Sequence, residues 1–281
     1  MCGIAGFYQF KHDVFKDYSH NLLVKKLQNM KYSLKHRGPN DDDMFLEGFC
    51  GLAHTRLSIR DIKGGHQPMT RRFNGHRATI VYNGELYNLK ELKFKLSSYD
   101  VDIRTTGDTE IILYCYLVFG PKIFKELNGI FAFAIYDNNK LIIVRDHIGV
   151  KPLYYYTCDN QFVFASEIKG IFAYGIKPSL NNDSWCEIIG LGPGHTLGNG
   201  VFSSIKEVLP GHYLTITMDS DKKILYSDDC YWKLKSKIHS DDYATTVSHC
   251  NYLITDSIKR QMVSDIPICT FLSGGLDSSL V

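Results

Sequence analysis

The run "GIFAFAIYDNNKLIIVRD", residues 129–146, constrains the fold more than any other stretch. Two segments rich in β-branched and aromatic residues flank Asn138 and Asn139, and this arrangement predicts a β-hairpin. Strand-like runs also occur at residues 2–10 and in "FCGLAH", "ATIVY", "PLYYYT", "QFVFAS" and "GHYLTIT". Because helical patterns separate these runs without a regular βαβ alternation, the order predicts an α+β domain of layered, mainly antiparallel sheets.

Helical spacing predicts three longer helices. The first carries Leu23, Leu27 and Met30 and stops before Pro39, because the residue before a proline is disfavoured in a helix. The second is "DTEIILYCYLVF", with Asp108 as its N-cap. The third is "YATTVSHCNYLITDSIKRQMVSD", close to the C-terminal end of the chain.

The composition changes after residue 218. Residues 219–240 are charged and poorly periodic, so we expect a linker there. The final run, "IPICTFLSGGLDSSLV", predicts a buried strand, a glycine loop and the start of a helix. At 281 residues the chain has room for about two domains.

Composition argues against several classes of function. The net charge of +2 gives no basic stripe for nucleic acid, and no apolar run reaches the ~18–20 residues of a membrane span. The eight cysteines are scattered without a C-x-x-C pair, which predicts reduced thiols in a cytoplasmic protein. The eleven histidines include no H-E-x-x-H, so we expect no metal site.

A cysteine directly follows the initiator methionine, and no signal-peptide pattern follows it. Removal of Met1 would place a thiol and a free α-amino group on Cys2. An α-amine has a pKa of ~7.7–8.0, so part of it is neutral at pH 7 and can accept the thiol proton. Cys2 is then a nucleophile with its own base. By itself, such a residue is more often a small apolar residue that starts a strand.

Eight segments in order resemble the class II, N-terminal-nucleophile glutamine amidotransferases, and more closely the glutamine-hydrolysing asparagine synthetases. They are "MCGIAGF", "HRGPN", "AHTRLSI", "NGELYN", "TGDTE", "NGIFAFAIYD", "RDHIGVKPLYY" and "FASEIKG". The resemblance implies a four-layer sandwich of antiparallel sheets between helices. It implies a glutaminase domain over residues 2–218, a linker over 219–240, and the beginning of an α/β ATP-pyrophosphatase domain over 241–281.

The resemblance also implies roles for the matching residues. Cys2 would attack the side-chain amide of glutamine, and Asn83 with the Gly84 amide would form the oxyanion hole. Arg56 would pair with the glutamine α-carboxylate, while Glu85 and Asp108 would accept its α-ammonium. Without the resemblance, Asn83-Gly84 reads as a hairpin turn, Glu85 as a surface charge and Asp108 as a helix cap. No cofactor is expected for glutamine hydrolysis.

The loop "SGGLDSS" resembles the pyrophosphate-binding loop of ATP-pyrophosphatase domains, with candidate residues Ser273, Gly274, Gly275, Asp277 and Ser278. In asparagine synthetases this domain uses ATP and Mg²⁺ to activate aspartate for amidation by ammonia. Only its first strand and loop are expected in this chain, so the chain alone is expected to show glutaminase activity only. A homodimer is an expectation from the resemblance.

Two alternatives stay open. A related amidotransferase would amidate another carboxylate acceptor, and the acceptor pocket that distinguishes the two is not among the residues matched. A non-catalytic regulatory module would keep the fold without the chemistry. The candidate pocket residues argue against the second alternative, and a glutaminase assay separates them.

Overall fold

The computed structural model describes residues 1–9, 20–192 and 196–280. Within these ranges, twelve strands form two six-stranded sheets. The first sheet contains β1 (Gly3–Gln9), β2 (Asp41–Glu47), β3 (Cys50–Arg56), β8 (Tyr154–Cys158), β9 (Gln161–Ala165) and β10 (Ile205–Glu207). The second contains β4 (Met69–Phe73), β5 (His76–Leu86), β6 (Gly129–Asp137), β7 (Lys140–Arg145), β11 (His212–Met218) and β12 (Ile224–Cys230).

Every strand pair in the two sheets is antiparallel. The strand order is β10-β8-β9-β1-β3-β2 in the first sheet and β12-β11-β7-β6-β5-β4 in the second. The predicted hairpin is β6–β7, with a left-handed backbone at Asn138 (φ 43°) and Asn139 (φ 63°). A two-residue hairpin turn with positive φ at both positions has a backbone twist that matches the right-handed twist of the flanking strands.

The helices are α1 (His20–Ser33), α2 (Leu89–Leu96), α3 (Asp108–Phe119), α4 (Ile168–Tyr174), α5 (Asn182–Leu191), α6 (Tyr243–Gln261) and α7 (Leu276–Leu280), with 3₁₀ turns at Lys35–Arg37 and Gly120–Glu126. The first four cover the outer faces of the two sheets. One apolar cluster packs α1 and α4 on the first sheet, a second lies between the sheets, and a third packs α2 and α3 on the second sheet. The expected four layers and the first helix are confirmed.

The strand expected at residues 2–10 is formed over Gly3–Gln9, and Phe10 lies outside the described residues. The linker expected over 219–240 contains β12, which pairs with β11 from Met218↔Ile224 to His212↔Cys230. Its charged sequence suits an edge strand, because one side of such a strand faces water. Tyr226 still packs its ring against Tyr155 and Phe162 of the first sheet.

The C-terminal segment, residues 243–280, differs from its sequence pattern. Helix α6 forms where expected, and the Asp242 carboxylate caps it by accepting a hydrogen bond from the Thr245 amide at 2.8 Å. The strand predicted for "IPICTFL" is wrong, because residues 266–272 have no strand conformation. A strand needs a partner edge, and no part of the described chain pairs with these residues. Val281, at the end of the predicted loop and helix, lies outside the described residues.

None of the helices in the described ranges has both the length and the apolar character needed to cross a membrane.

Candidate active site

A cleft at one end of the sandwich brings together residues that are distant in sequence. Strand β1 begins there, β3 ends there at Arg56, and β5 crosses the same end through residues 83–85. The empty space in the cleft, including the part that is open to solvent, is about 420 Å³. Among the predicted site residues, those that line it are Cys2, Arg56, Gly84, Glu85 and Asp108.

The Cys2 thiol is fixed by the chain that follows β3. Its Sγ accepts a hydrogen bond from the Leu57 amide at 3.4 Å and lies 3.6 Å from the Leu57 carbonyl oxygen. Burial raises the pKa of the thiol above its ordinary value. Met1 precedes Cys2 in this structure, so the Cys2 nitrogen is a peptide nitrogen here.

Arg37 holds Cys2 from the other side, a role that sequence reasoning missed. Its Nε donates to the Cys2 carbonyl oxygen at 2.8 Å, and its Nη1 donates to Glu167 at 2.8 Å. Burial would raise the pKa of Glu167, but hydrogen bonds from Arg37, Lys169 and His36 lower it to about 2. Arg37 lies in "HRGPN" and Glu167 in "FASEIKG", two of the segments that carried the resemblance.

Asn83 and Gly84 lie in the interior of β5, not in a hairpin turn. The Asn83 side chain is 1 % exposed, and its Nδ2 has no hydrogen-bond partner among the described residues. A Cβ on Gly84 would lie 2.4 Å from the Ile130 carbonyl oxygen, so only glycine fits beside β6. The pairing of β5 with β6 fixes Asn83 Nδ2, a buried donor, at the end of the sandwich where Cys2 lies. Buried donors without a hydrogen-bond partner are uncommon in folded proteins.

Arg56 is buried and organises the loop between β3 and β4. Its Nη1 donates to the Ile62 carbonyl at 3.1 Å, and its Nη2 donates to the carbonyls of Arg60 (3.1 Å) and Asp61 (2.6 Å). A Cβ at Gly65 would lie 2.2 Å from Nη2, so glycine permits the close approach. The guanidinium therefore shapes the cleft wall as well as giving it positive charge.

Asp108 is not the predicted N-cap: the cap residue of α3 is Gly107, and Asp108 is the first helical residue. Its Oδ2 instead accepts hydrogen bonds from the Tyr82 hydroxyl at 3.0 Å and the Leu86 amide at 3.1 Å. Burial raises the pKa of Asp108, although the nearby charge of Arg60 opposes the shift. The carboxylate is thus drawn toward β5 and the cleft instead of capping its own helix.

Glu85 and Arg60 complete this side of the cleft. Arg60 Nη1 lies 3.5 Å from Glu85 Oε2 and donates to the Leu86 carbonyl at 3.1 Å. Burial, followed by the charge of Asp108, raises the pKa of Glu85 to about 7. Sequence reasoning missed Arg60, because a single arginine in a loop has no local pattern that indicates its partner.

The residues of the predicted phosphate loop, Ser273 to Ser278, do not line this cleft. Four of the five candidates are exposed and Ser278 is half-buried, and the hydroxyls of Ser273 and Ser278 contact each other at 2.9 Å. The helix that follows has five residues, and helices this short are marginal without packing. As described, these residues do not fit a nucleotide, because neither a strand nor a covering helix supports the loop. Within the described ranges, no group of three or more His, Cys, Asp or Glu residues could hold a metal ion.

Known structures share this architecture. Glutamine phosphoribosylpyrophosphate amidotransferase from B. subtilis, complexed with ADP and GMP, superposes with a TM-score of 0.56 at 19% identity, covering 82% of this chain and 49% of that one. A second solved structure, an allosteric regulatory enzyme of purine biosynthesis, gives a TM-score of 0.57 at 20% identity, again over 82% and 49%. At these identities the likeness concerns the fold alone, two antiparallel sheets between helices.

Residues 1–232 match the glutamine amidotransferase domain family, and the chain belongs to it. Residues 249–281 match a second family, asparagine synthase. Among curated relatives, glutamine-hydrolysing asparagine synthetase 3 of Bacillus subtilis (strain 168) is 40% identical over the whole chain, which covers 44% of that relative. Asparagine synthetase B of Escherichia coli (strain K12) is 31% identical, with 100% and 44% covered. The chain thus spans less than half the length of these two relatives.

Proposed function

We propose that the cleft hydrolyses glutamine to glutamate and ammonia, with Cys2 as the nucleophile. The observation that carries the proposal is the buried Nδ2 of Asn83, which has no hydrogen-bond partner in the described part of the chain and directly precedes Gly84 of the cleft lining. A fixed donor that meets no acceptor within the described ranges is suited to the oxyanion of a tetrahedral intermediate. Such donors are worth roughly 3–4 kcal/mol in the transition state.

The steps follow from these residues once Met1 is removed. The neutral α-amine of Cys2 accepts the thiol proton, and the sulfur attacks the side-chain carbonyl of glutamine. The oxyanion forms beside Asn83 Nδ2 and the Gly84 amide. The proton then passes to the leaving nitrogen, the C–N bond breaks, and ammonia departs. Water hydrolyses the remaining thioester to glutamate and restores the thiol.

The two ends of free glutamine match the charges of the cleft. Arg56 offers positive charge for the α-carboxylate, and the carboxylates of Glu85 and Asp108 offer negative charge for the α-ammonium. Arg60 already contacts Glu85 and would share that carboxylate with the substrate. This distribution favours an amino acid with both end charges over a simple amide.

For the whole protein, we propose a glutamine-hydrolysing asparagine synthetase in the cytoplasm that uses aspartate, ATP and Mg²⁺. The relatives named above and the match over residues 249–281 support this reading. The eight cysteines, all free thiols, suit a reducing compartment. The amidotransferase domain then runs to about Trp232, beyond the expected boundary at 218, because the Tyr231 and Trp232 amides both donate to the Gly211 carbonyl.

The exposed loop at residues 273–278 supports a further part of the proposal: this chain alone carries out glutamine hydrolysis without activating aspartate. An aspartate-dependent ATP–pyrophosphate exchange assay checks it, with no exchange expected. Exchange that is lost in Asp277→Ala would show that the loop is functional as it stands.

A kinetic comparison tests the glutaminase itself. The Met1-processed chain should release glutamate and ammonia in equal amounts, and Cys2→Ala should reduce the rate to background. A chain with an N-terminal extension that cannot be removed should also be inactive, because its Cys2 nitrogen is an amide. Full activity in either preparation would refute the mechanism.

A further inference from the structure

The loop "RDHIGVK", residues 145–151, is built around one carboxylate. Asp146 Oδ1 accepts hydrogen bonds from the amides of Ile148 (3.2 Å) and Val150 (3.0 Å). Its Oδ2 accepts from the amides of Phe131 (3.2 Å) and Lys151 (2.9 Å). Four backbone donors on one buried side chain fix the path of the loop from β7 to Lys151.

The neighbouring arginine fixes the same loop from its other side. Arg145 donates from Nε to the Lys151 carbonyl at 3.0 Å, from Nη2 to the Gly149 carbonyl at 2.8 Å and from Nη1 to the Val208 carbonyl at 2.7 Å. It also forms a buried ion pair with Glu207 at 2.8 Å. Both the amide and the carbonyl of Lys151 are therefore held, and the backbone of this residue has one position.

The loop carries Lys151 across the end of the sandwich where the cleft lies. It leaves β7 in the second sheet and leads to β8 in the first. Phe131, whose amide binds Asp146, is the register partner of Gly84 on β5. The loop therefore runs beside the strand that bears the oxyanion-hole candidates.

The fixed backbone holds the Lys151 side chain in a buried position among other charged groups. It is 8 % exposed, and its Nζ makes no hydrogen bond or ion pair with any residue in the described ranges. The charged and titratable groups near it are Glu85 on β5, Arg37 after α1, Cys2 directly before β1 and Asp146 in its own loop, together with the α-amine at Met1. Buried cations are normally paired, because leaving one unpaired costs its solvation.

We propose that the Lys151 ammonium stabilises the thiolate of Cys2, so that the sulfur is ionised for attack. This proposal rests on the proposed glutaminase function of the same cleft. Lys151 gains and loses no proton: the thiol proton still goes to the α-amine, and the lysine charge favours the resulting anion. The same charge disfavours protonation of the α-amine, which keeps that base in its neutral form.

Other groups facing Cys2 set the background against which Lys151 acts. Arg56 on β3 favours the thiolate, Glu85 on β5 opposes it, and the Leu57 amide donates to the sulfur. Burial lowers the pKa of Lys151 itself, while the negative charges of Glu85 and Cys2 raise it. Ionising the thiol therefore also favours the charged form of the lysine, so each charge supports the other.

The test is the pH dependence of Cys2 alkylation by iodoacetamide in the Met1-processed full chain, mapped by mass spectrometry. Lys151→Met should raise the midpoint by about one pH unit, the order expected for losing one nearby charge in a partly buried site. The kcat for glutamine should fall about 10-fold at neutral pH, with KM within about 2-fold, since the thiolate fraction falls tenfold per unit. Lys151→Arg should restore both values, and the exposed Lys177→Met is the matched control.

Iodoacetamide needs no glutamine pocket, so its result reports on the thiol even if glutamine is not the substrate. Lys151→Gln serves as a second uncharged variant in case methionine is not accommodated. A wild-type midpoint in either uncharged variant would overturn the proposal, as would an arginine variant that behaves like them. Unfolding of both uncharged variants while Lys151→Arg folds would show that the charge is structural, which also contradicts the proposal.

Discussion

The sandwich and the C-terminal segment carry equally recognisable sequence patterns but have opposite environments. In the sandwich, apolar side chains such as Phe133 and Ile135 are 0 % exposed. In residues 243–280, Phe271 is 92 % exposed and Leu272 is 75 % exposed, and α6 has no buried residue. A sequence motif identifies which residues could carry out a reaction. Whether those residues are buried depends on the elements that pack around them.

The two candidate ligand loops show the same difference at single residues. Gly84 lies on β5 in close contact with β6, and the pairing of these two strands also fixes the neighbouring Asn83. Gly274 has a left-handed backbone (φ 81°), and nothing lies within 4 Å of where its Cβ would be. The C-terminal segment does reach the cleft wall, because Asp265 bonds the backbone of Ile59 and Asp61 at 3.1 and 2.7 Å. These polar contacts place the segment beside the cleft without burying its apolar side chains.

Matched truncations of one aromatic residue in each region should give the largest contrast. Phe133 packs against Phe124 and Phe131 at centroid distances of 5.5 Å. Phe133→Ala should lower the free energy of unfolding by about 3–5 kcal/mol through lost burial and a new cavity. Phe271→Ala should change it by less than about 0.5 kcal/mol. Urea unfolding at constant m-value measures both, and equal losses would remove the distinction between the regions.

Asn83→Ala should separate chemistry from stability within the sandwich. We expect kcat for glutamine hydrolysis to fall about 10²–10³-fold through loss of an oxyanion donor. The free energy of unfolding should stay within about 1 kcal/mol of wild type, because Nδ2 has no partner to lose among the described residues. Ser279→Ala in the C-terminal segment is the control and should leave kcat unchanged. An Asn83→Ala enzyme with wild-type kcat would place the oxyanion elsewhere.

Glu85 should give the smallest effect, a step in pH dependence. Its pKa is raised to about 7, first by burial and then by the charge of Asp108. The kcat/KM for glutamine should therefore rise as pH passes about 7, because only the ionised carboxylate holds an α-ammonium. Glu85→Gln should remove the part of the rise centred near pH 7 and leave the part at ~7.7–8.0 that comes from the Cys2 α-amine, whereas the exposed Glu126→Gln should keep both. A part near pH 7 that persists in Glu85→Gln would assign that titration to another group.

The raised pKa of Glu85 also determines the direction in which its contribution to folding stability changes with pH. A raised pKa means that folded Glu85 holds its proton more tightly than the unfolded chain does. Its favourable contribution is present below the ordinary value of 4.5 and is lost as pH rises to about 7. Unfolding free energies measured across this window should decline less in Glu85→Gln.

Local sequence patterns predicted the sandwich well because its core follows strand and helix periods. The hairpin at Asn138–Asn139 and the helix at Leu23–Met30 need only neighbouring residues to specify them. Strand β12 escaped prediction because an edge strand with one wet face resembles a charged linker. The predicted strand at residues 266–272 failed for the opposite reason: its pattern is local, but strand formation requires a partner.

Some residues of the candidate site were likewise identified from the sequence, and others were missed. Cys2 and Asn83 were identified through resemblance over eight segments, although their roles remain proposals. Arg37, Arg60 and Lys151 were missed as functional residues, since their relations to Cys2 and Glu85 cross between elements far apart in sequence. Asp108 was misassigned as a cap because the local pattern suits a helix start. The hydrogen-bond partners of its side chain are Tyr82 and Leu86, which both belong to β5.

Covalent capture of Cys2 tests the central claim most directly. The Met1-processed chain is treated with an electrophilic glutamine analogue, and the adduct is located by peptide mass spectrometry. The account predicts one adduct, on Cys2, that free glutamine prevents and that Asn83→Ala slows, with the other seven cysteines unmodified. An adduct on a different cysteine, or equal labelling of a chain that retains Met1, would contradict it.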